Sequence, residues 1–116
     1  MDLNSALESH VEWKLRFRMA ISQQETMDAE TIAKDNCCDL GKWLHGEAKA
    51  KFGKLASYTR CVDKHATFHV EAGKVARAVN AGKFAEAEAM LNAGSPFMMA
   101  SFDVGVAIQH LKQEAG

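Results

Sequence analysis

His65 and His69 stand four residues apart. On a helix that spacing puts both imidazoles on one face, with Cβ atoms about 5–6 Å apart, so both can meet a zinc ion at about 2.0–2.1 Å. The pair is also compatible with two core histidines that hydrogen-bond to backbone carbonyls. Three cysteines accompany it, Cys37, Cys38 and Cys61, two of them adjacent. They form no sensible disulfide framework, and a reducing compartment would keep them as thiols open to metal or redox chemistry. His10, Cys38, His65 and His69 each fall on a core-facing stripe or at a helix start, where a bundle could bring them together. Burying four unpaired polar groups would cost roughly 1–3 kcal/mol each, a cost that a shared metal ion removes.

The elements that must position these residues read as helices. Between Asp2 and about Gln24, Leu3, Ala6, Leu7, Trp13, Phe17, Ala20 and Ile21 recur at spacings of three and four, with Glu8, Glu12 and Arg16 opposite. His10 lies inside that apolar stripe. A weaker helical stretch runs from Asp28 to Lys34, and Asp35-Asn36 then supplies a capping signal before Cys37 and Cys38, which places Cys38 near a helix N-terminus. Gly46 and Gly53 bracket what reads as a charged, Ala-rich connection. A long helix follows, with Tyr58, Val62, His65, His69, Ala72, Ala76 and Val79 on one stripe, and Asn80-Ala81-Gly82 ends it. A short helix from Phe84 to about Asn92 comes next. Ser95 as cap and Pro96 at the first position then open a last helix, buried through Phe97, Val104, Ile108 and Leu111. With no repeat, linker or convincing strand, residues 1–116 read as a single all-α domain, an antiparallel four-helix bundle with an additional short helix.

Composition agrees with this. The chain has 47% hydrophobic and 25% charged residues and one proline. Ala, Lys, Glu and Met are plentiful and β-branched residues sparse, a balance that favours helices. The formal net charge is −1, with acids and bases interleaved, so no basic face collects phosphates and nucleic acid is not an expected partner. No segment approaches the ~20 apolar residues that span a bilayer, and an N-terminus carrying Asp2 and Glu8 lacks the layout of a secretion signal. A cytoplasmic chain without membrane contact is therefore expected.

Taken together, His10 with Trp13, then Cys38-Asp39-Leu40-Gly41-Lys42-Trp43, then His65-Ala66-Thr67-Phe68-His69 resemble the chemoreceptor zinc-binding domain family. The family pattern is a histidine, Cys-x-Leu-Gly-x-Trp, and His-x-x-x-His. Asp35-Asn36, Trp43-Leu44-His45-Gly46 and Gly94-Ser95-Pro96-Phe97 also look like family features, so the resemblance covers nearly the whole chain. It implies that His10, Cys38, His65 and His69 are zinc ligands and that Leu40, Gly41 and Trp43 shape the cysteine turn. It further implies a regulatory, usually dimeric module attached to a chemotaxis receptor or a diguanylate cyclase.

Three histidines and one thiolate would close a tetrahedral shell, the layout of a structural or regulatory site and not of a catalytic one with an open position. A zinc protease helix would also need a glutamate directly after the first histidine, and position 66 is Ala. No enzyme is expected. Cys38 is the ligand that oxidants attack, and its loss would free one arm of the site. Cys37 departs from the single cysteine of the family, and a one-residue slip would make it the ligand, though Cys38 fits the spacing to Leu40, Gly41 and Trp43. Cys61, one turn before His65, is either a spare thiol or a small buried hydrophobe. Asp39 either orients a ligand histidine or serves the helix N-terminus. His45 and His110 read as structural or exposed, and Trp13, Trp43, Phe68, Met98 and Met99 as packing, some of it at a dimer face. Two other functions compete with the sensor: a zinc-bolted interaction module without switching, and a di-iron or metal-carrier bundle, for which the core stripes hold almost no carboxylates.

Overall fold

The computed structural model describes all residues, Met1–Gly116. It contains eight helices and no strand: α1 (Leu3–Val11), α2 (Trp13–Gln23), α3 (Ala29–Ile32), α4 (Asp39–His45), α5 (Glu47–Phe52), α6 (Ala56–Asn80), α7 (Phe84–Ala89) and α8 (Pro96–Ala115). The N-terminal helix of the sequence reading is thus two segments, α1 and α2, joined at Glu12. Glu12 keeps right-handed helical angles, so the apolar stripe runs on across the junction.

The chain runs up, down, up and down. Ala20 packs with Ala78 and Val79, which puts the end of α2 beside the end of α6, and Met27 exchanges two hydrogen bonds of 2.7 Å with the Asn80 side chain there. The α1–α2 arm therefore runs parallel to α6. Two tie points turn α8 the other way. Ser57, at the start of α6, donates to Glu114 near the end of α8, through N at 3.3 Å and Oγ at 2.7 Å. Lys112 donates to Asn4 at 2.8 Å. Between these three long arms α3, α4 and α5 form the fourth, descending side, pinned where Tyr58 donates to the Leu44 carbonyl at 2.7 Å. The result is the expected all-α antiparallel bundle, with one side broken into short helices.

The stretch between Gly46 and Gly53 is a helix, α5, where the sequence reading has a connection. Its Ala content and the Glu47–Lys51 pair at 2.9 Å, one turn apart, stabilise the turn locally. Ala48 anchors it in the core. Phe17, Phe68 and Phe97 are fully buried and meet at ring separations of 5.4 and 5.6 Å, so α2, α6 and α8 share one aromatic contact. Burial of each such side chain contributes roughly 1.5–3 kcal/mol. This aromatic layer lies next to the histidines: Phe68 stacks edge-on to His10 at 5.1 Å and to His69 at 5.4 Å.

Candidate metal centre

Two histidines come from α6, one from α1 and a cysteine from the start of α4. His65 and His69 lie on the buried face of α6, and His10 faces them from α1 with its ring 5.0 Å from that of His65 and 5.6 Å from that of His69. Cys38 is the N-cap of α4. Its backbone is extended, and its sulfur accepts the Gly41 N–H at 3.3 Å, so one atom both caps the helix and faces the histidines.

The four donor atoms lie within 4.8 Å of one another. His65 Nε2 is 3.0 Å from His69 Nε2, and Cys38 Sγ stands 3.2, 3.5 and 4.0 Å from the Nε2 atoms of His65, His69 and His10. A tetrahedral zinc with nitrogens at 2.0–2.1 Å and sulfur at 2.3 Å would set its ligand atoms about 3.3–3.6 Å apart; the contacts among Cys38, His65 and His69 are close to that size, and the widest pair in the cluster, at up to 4.8 Å, closes by about an ångström to complete the shell.

Hydrogen bonding aims this set at one shared centre. His10 Nδ1 donates to the Ala6 carbonyl at 2.7 Å and His69 Nδ1 to the Ile32 carbonyl at 2.8 Å. A carbonyl can only accept, so in both neutral rings the proton sits on Nδ1 and the Nε2 lone pair points into the cluster. His65 faces those lone pairs with its own Nε2, while its Nδ1 is buried without any partner. Moving the His65 proton between its nitrogens leaves one polar atom unsatisfied either way. A metal ion would accept all three Nε2 lone pairs and the sulfur at once, leaving only the His65 Nδ1–H without a partner, so the residues fit zinc.

Burial enforces neutral rings. His65 is fully buried, and burial, followed by the neighbouring His69 and His10, brings its pKa down to about 2. Burial also lowers His10 and His69, opposed in each case by the hydrogen bond to a carbonyl. The Cys38 thiol is pushed up by burial, against the lowering effect of the Gly41 and Leu40 N–H groups. The helix N-terminus therefore does not hold a thiolate by itself, and a cation among the donors would supply the missing stabilisation.

Two glycines allow the approach. A Cβ on Gly41 would fall 1.8 Å from the Asp35 carbonyl oxygen, so only glycine lets the first turn of α4 fold back against the preceding loop. A Cβ on Gly73, one turn beyond His69, would lie 2.6 Å from Ala33 Cβ. That bare helix surface lets α3 come close enough for the Ile32 carbonyl to reach His69. The sequence reading singles out Gly41 but misses Gly73, Ala6 and Ile32. An i−4 carbonyl below a helical histidine is a local signal that could have found Ala6, whereas no local signal marks Ile32.

The remaining candidates fall outside the cluster. Leu40 is buried in the core, Trp43 packs on Phe52 at 6.1 Å, and Trp13 lies against Phe17 at 5.4 Å with the Arg16 guanidinium 4.8 Å over its ring. Asp39 is exposed in the first turn of α4, and the outer nitrogens of His10 and His69 go to carbonyls instead, so its place fits the helix-terminus reading. Cys61 is fully buried in the hydrophobic core, which pushes its thiol up to about 12. Cys37 is exposed. His45 pairs with Asp35 at 3.1 Å on the surface, and His110 is exposed.

The model of one protein family, described as the chemoreceptor zinc-binding domain, matches residues 10–76, more than half of the chain and the whole span from His10 past His69. No curated protein and no solved structure matches it.

Proposed function

The chain belongs to the chemoreceptor zinc-binding domain family, and on that premise we propose that it is a regulatory sensor module of bacterial signal transduction, holding one zinc ion through His10, Cys38, His65 and His69. The observation that carries the reading is the inward aim of every donor, two of them locked by backbone carbonyls. The ion supplies a cross-link between α1, α4 and α6, and the family is regulatory and not catalytic.

In this reading Cys38 is the arm that responds. It is half-buried where His65 and His69 are at most 3% exposed, so oxidants and competing chelators reach it first. Loss of its sulfur from the cluster also removes the cap of α4 and loosens the descending side of the bundle against α6. The output is a chemoreceptor or diguanylate cyclase partner in the cytoplasm. No helix is long and apolar enough to cross a membrane. Homodimerisation is supported by an exposed apolar face on α1, α2 and α8 made of Val11, Leu15, Met19, Met99, Phe102 and Val106.

Near-complete burial of three donors favours a second reading, a zinc that bolts the bundle without switching. Metal analysis of purified protein beside Cys38→Ser and His65→Ala variants tests the site: one zinc per chain is expected in the parent, and retention of full zinc by both variants would refute it. Zinc that leaves on peroxide treatment of folded protein supports the sensor. Zinc that leaves only on unfolding supports the bolt.

A further inference from the structure

Cys37 takes no part in the donor cluster, yet it is joined to the one donor that oxidants attack. Its sulfur is exposed, with the Asn36 side-chain oxygen at 3.5 Å as its hydrogen-bond acceptor. Cys37 and Cys38 both line an open cleft of about 730 Å³ between the start of α1 and the loop before α4, with His10, Trp13 and Arg16 on its walls. A peroxide or hypochlorous acid occupies little more than a water's share of volume, roughly 30 Å³, so both sulfurs are within reach of such an oxidant and of a small thiol reductant.

We propose that Cys37 is the resolving thiol of Cys38, closing a vicinal Cys37–Cys38 disulfide that takes the Cys38 sulfur out of the donor cluster. The inference rests on the reading of Cys38 as a ligand and adds to it a defined, reversible product. In the first step the Cys38 sulfur gives an electron pair to one oxygen of hydrogen peroxide, the O–O bond breaks, water leaves, and Cys38 becomes a sulfenic acid. In the second step the Cys37 sulfur attacks the Cys38 sulfur, the S–O bond breaks, and the Cys37 proton leaves with the hydroxyl as water. The two sulfurs lose two electrons and the peroxide gains them. With hypochlorous acid the Cys38 sulfur attacks chlorine and hydroxide leaves; water or the Cys37 sulfur then displaces chloride from the Cys38 sulfur, and the same two electrons pass from sulfur to the oxidant.

Three features favour this pairing. Cys61, the other thiol of the chain, is fully buried in the core and cannot meet an incoming sulfenic acid without unfolding. The Cys38 sulfur is held in place by the Gly41 N–H and by its approach to His65 and His69, so turning it towards Cys37 detaches all three contacts in one motion. Adjacent α-carbons are about 3.8 Å apart, below the 4.4–6.8 Å usual across a disulfide. A vicinal bond is consequently strained and easily reduced, the character of a regulatory disulfide and not of a structural one.

The test treats zinc-loaded protein with hydrogen peroxide, follows zinc with a chelating dye, maps the cysteines by mass spectrometry, and then adds dithiothreitol and fresh zinc. In the parent, zinc release is expected to track loss of two hydrogens from the peptide carrying both cysteines, and the thiol should restore nearly all zinc binding. In Cys37→Ala, at an exposed position, zinc should still be released, but Cys38 should advance to sulfinic and sulfonic acid and recovery fall at least tenfold. Equal recovery in the two proteins, a parent peptide that is sulfinic without the vicinal link, or a Cys37 cross-link between chains would overturn the inference. Failure of the underlying site shows separately, as full zinc in Cys38→Ser before any oxidant is added, and removes both.

Discussion

Up to His69, α6 buries the Ser57 and Tyr58 hydroxyls, the Cys61 thiol and the imidazoles of His65 and His69; from Ala72 to Val79 it buries only Ala, Gly and Val. The second half is complete once it is packed, because small apolar side chains ask nothing of their neighbours beyond contact. The first half borrows its partners from elsewhere: Glu114 for Ser57, the Leu44 carbonyl for Tyr58, the Ile32 carbonyl for His69, and the donors of α1 and α4 for His65. One helix thus joins an end complete in itself to an end completed by other elements, and on the proposed function that asymmetry would let a ligand change part of the bundle without dissolving the rest.

The contrast breaks most visibly when zinc is stripped. A ligand present at 1,000 times its Kd adds about 4 kcal/mol to stability, so a strong chelator should lower the calorimetric midpoint by on the order of 15 °C. Val75→Ala, in the other half, should cost roughly 1.5–3 kcal/mol and leave one zinc per chain. If Val75→Ala also empties the site by metal analysis, the two halves are not separable.

Substitutions at the two close-approach glycines should act next most strongly. Gly41→Ala drives a methyl into the Asp35 carbonyl, and Gly73→Ala drives one into Ala33 and pushes the Ile32 carbonyl off His69. Loss of such supporting contacts typically costs 10–100-fold in metal affinity. A competition titration against a zinc indicator should show that loss for both, whereas Ala78→Gly, at the apolar end, should lower the melting point and leave affinity unchanged.

Acid gives the smallest effect per group. His10, His65 and His69 all have folded pKa values depressed by burial, that of His65 to about 2. In the unfolded chain they take up protons near pH 6.5 while the fold keeps them neutral. Metal-free protein is therefore at full stability above about pH 6.5, and stability falls as pH drops below it towards the folded values. Between pH 7.5 and 6 each histidine should contribute less than about 1 kcal/mol of that loss. Urea denaturation across that range checks it, and a midpoint that rises on acidification would contradict neutral rings in the fold.

Much of this was legible along the chain. The stripe carrying His10, the spacing of His65 and His69, and a helix start near Cys38 are local patterns, and the helices they imply are present; the cap itself is Cys38 and not the Asp35-Asn36 pair expected from the sequence, because the Cys38 sulfur is the acceptor that meets the Gly41 N–H. The Gly46–Gly53 segment misread as a connection shows where flanking glycines outweighed an Ala-rich, pair-stabilised turn. Gly73 is not legible in this way, because a helix-interior glycine carries no local mark of its partner; its meaning lies in Ala33, on another element.

The sequence by itself determined the helical periods, the kinds of donor and their neutrality once buried, since these follow from side-chain chemistry and from neighbours within a turn or two. Only the tertiary structure decided that the donors meet. Cys38 is 28 residues from His10 and 27 from His65, and it comes within reach because glycines let α3 and α4 approach where any larger side chain would hold them apart. The direction of the His10 and His69 lone pairs was likewise settled by the carbonyls of Ala6 and Ile32, because a ring nitrogen donates to whatever acceptor the packing brings beside it.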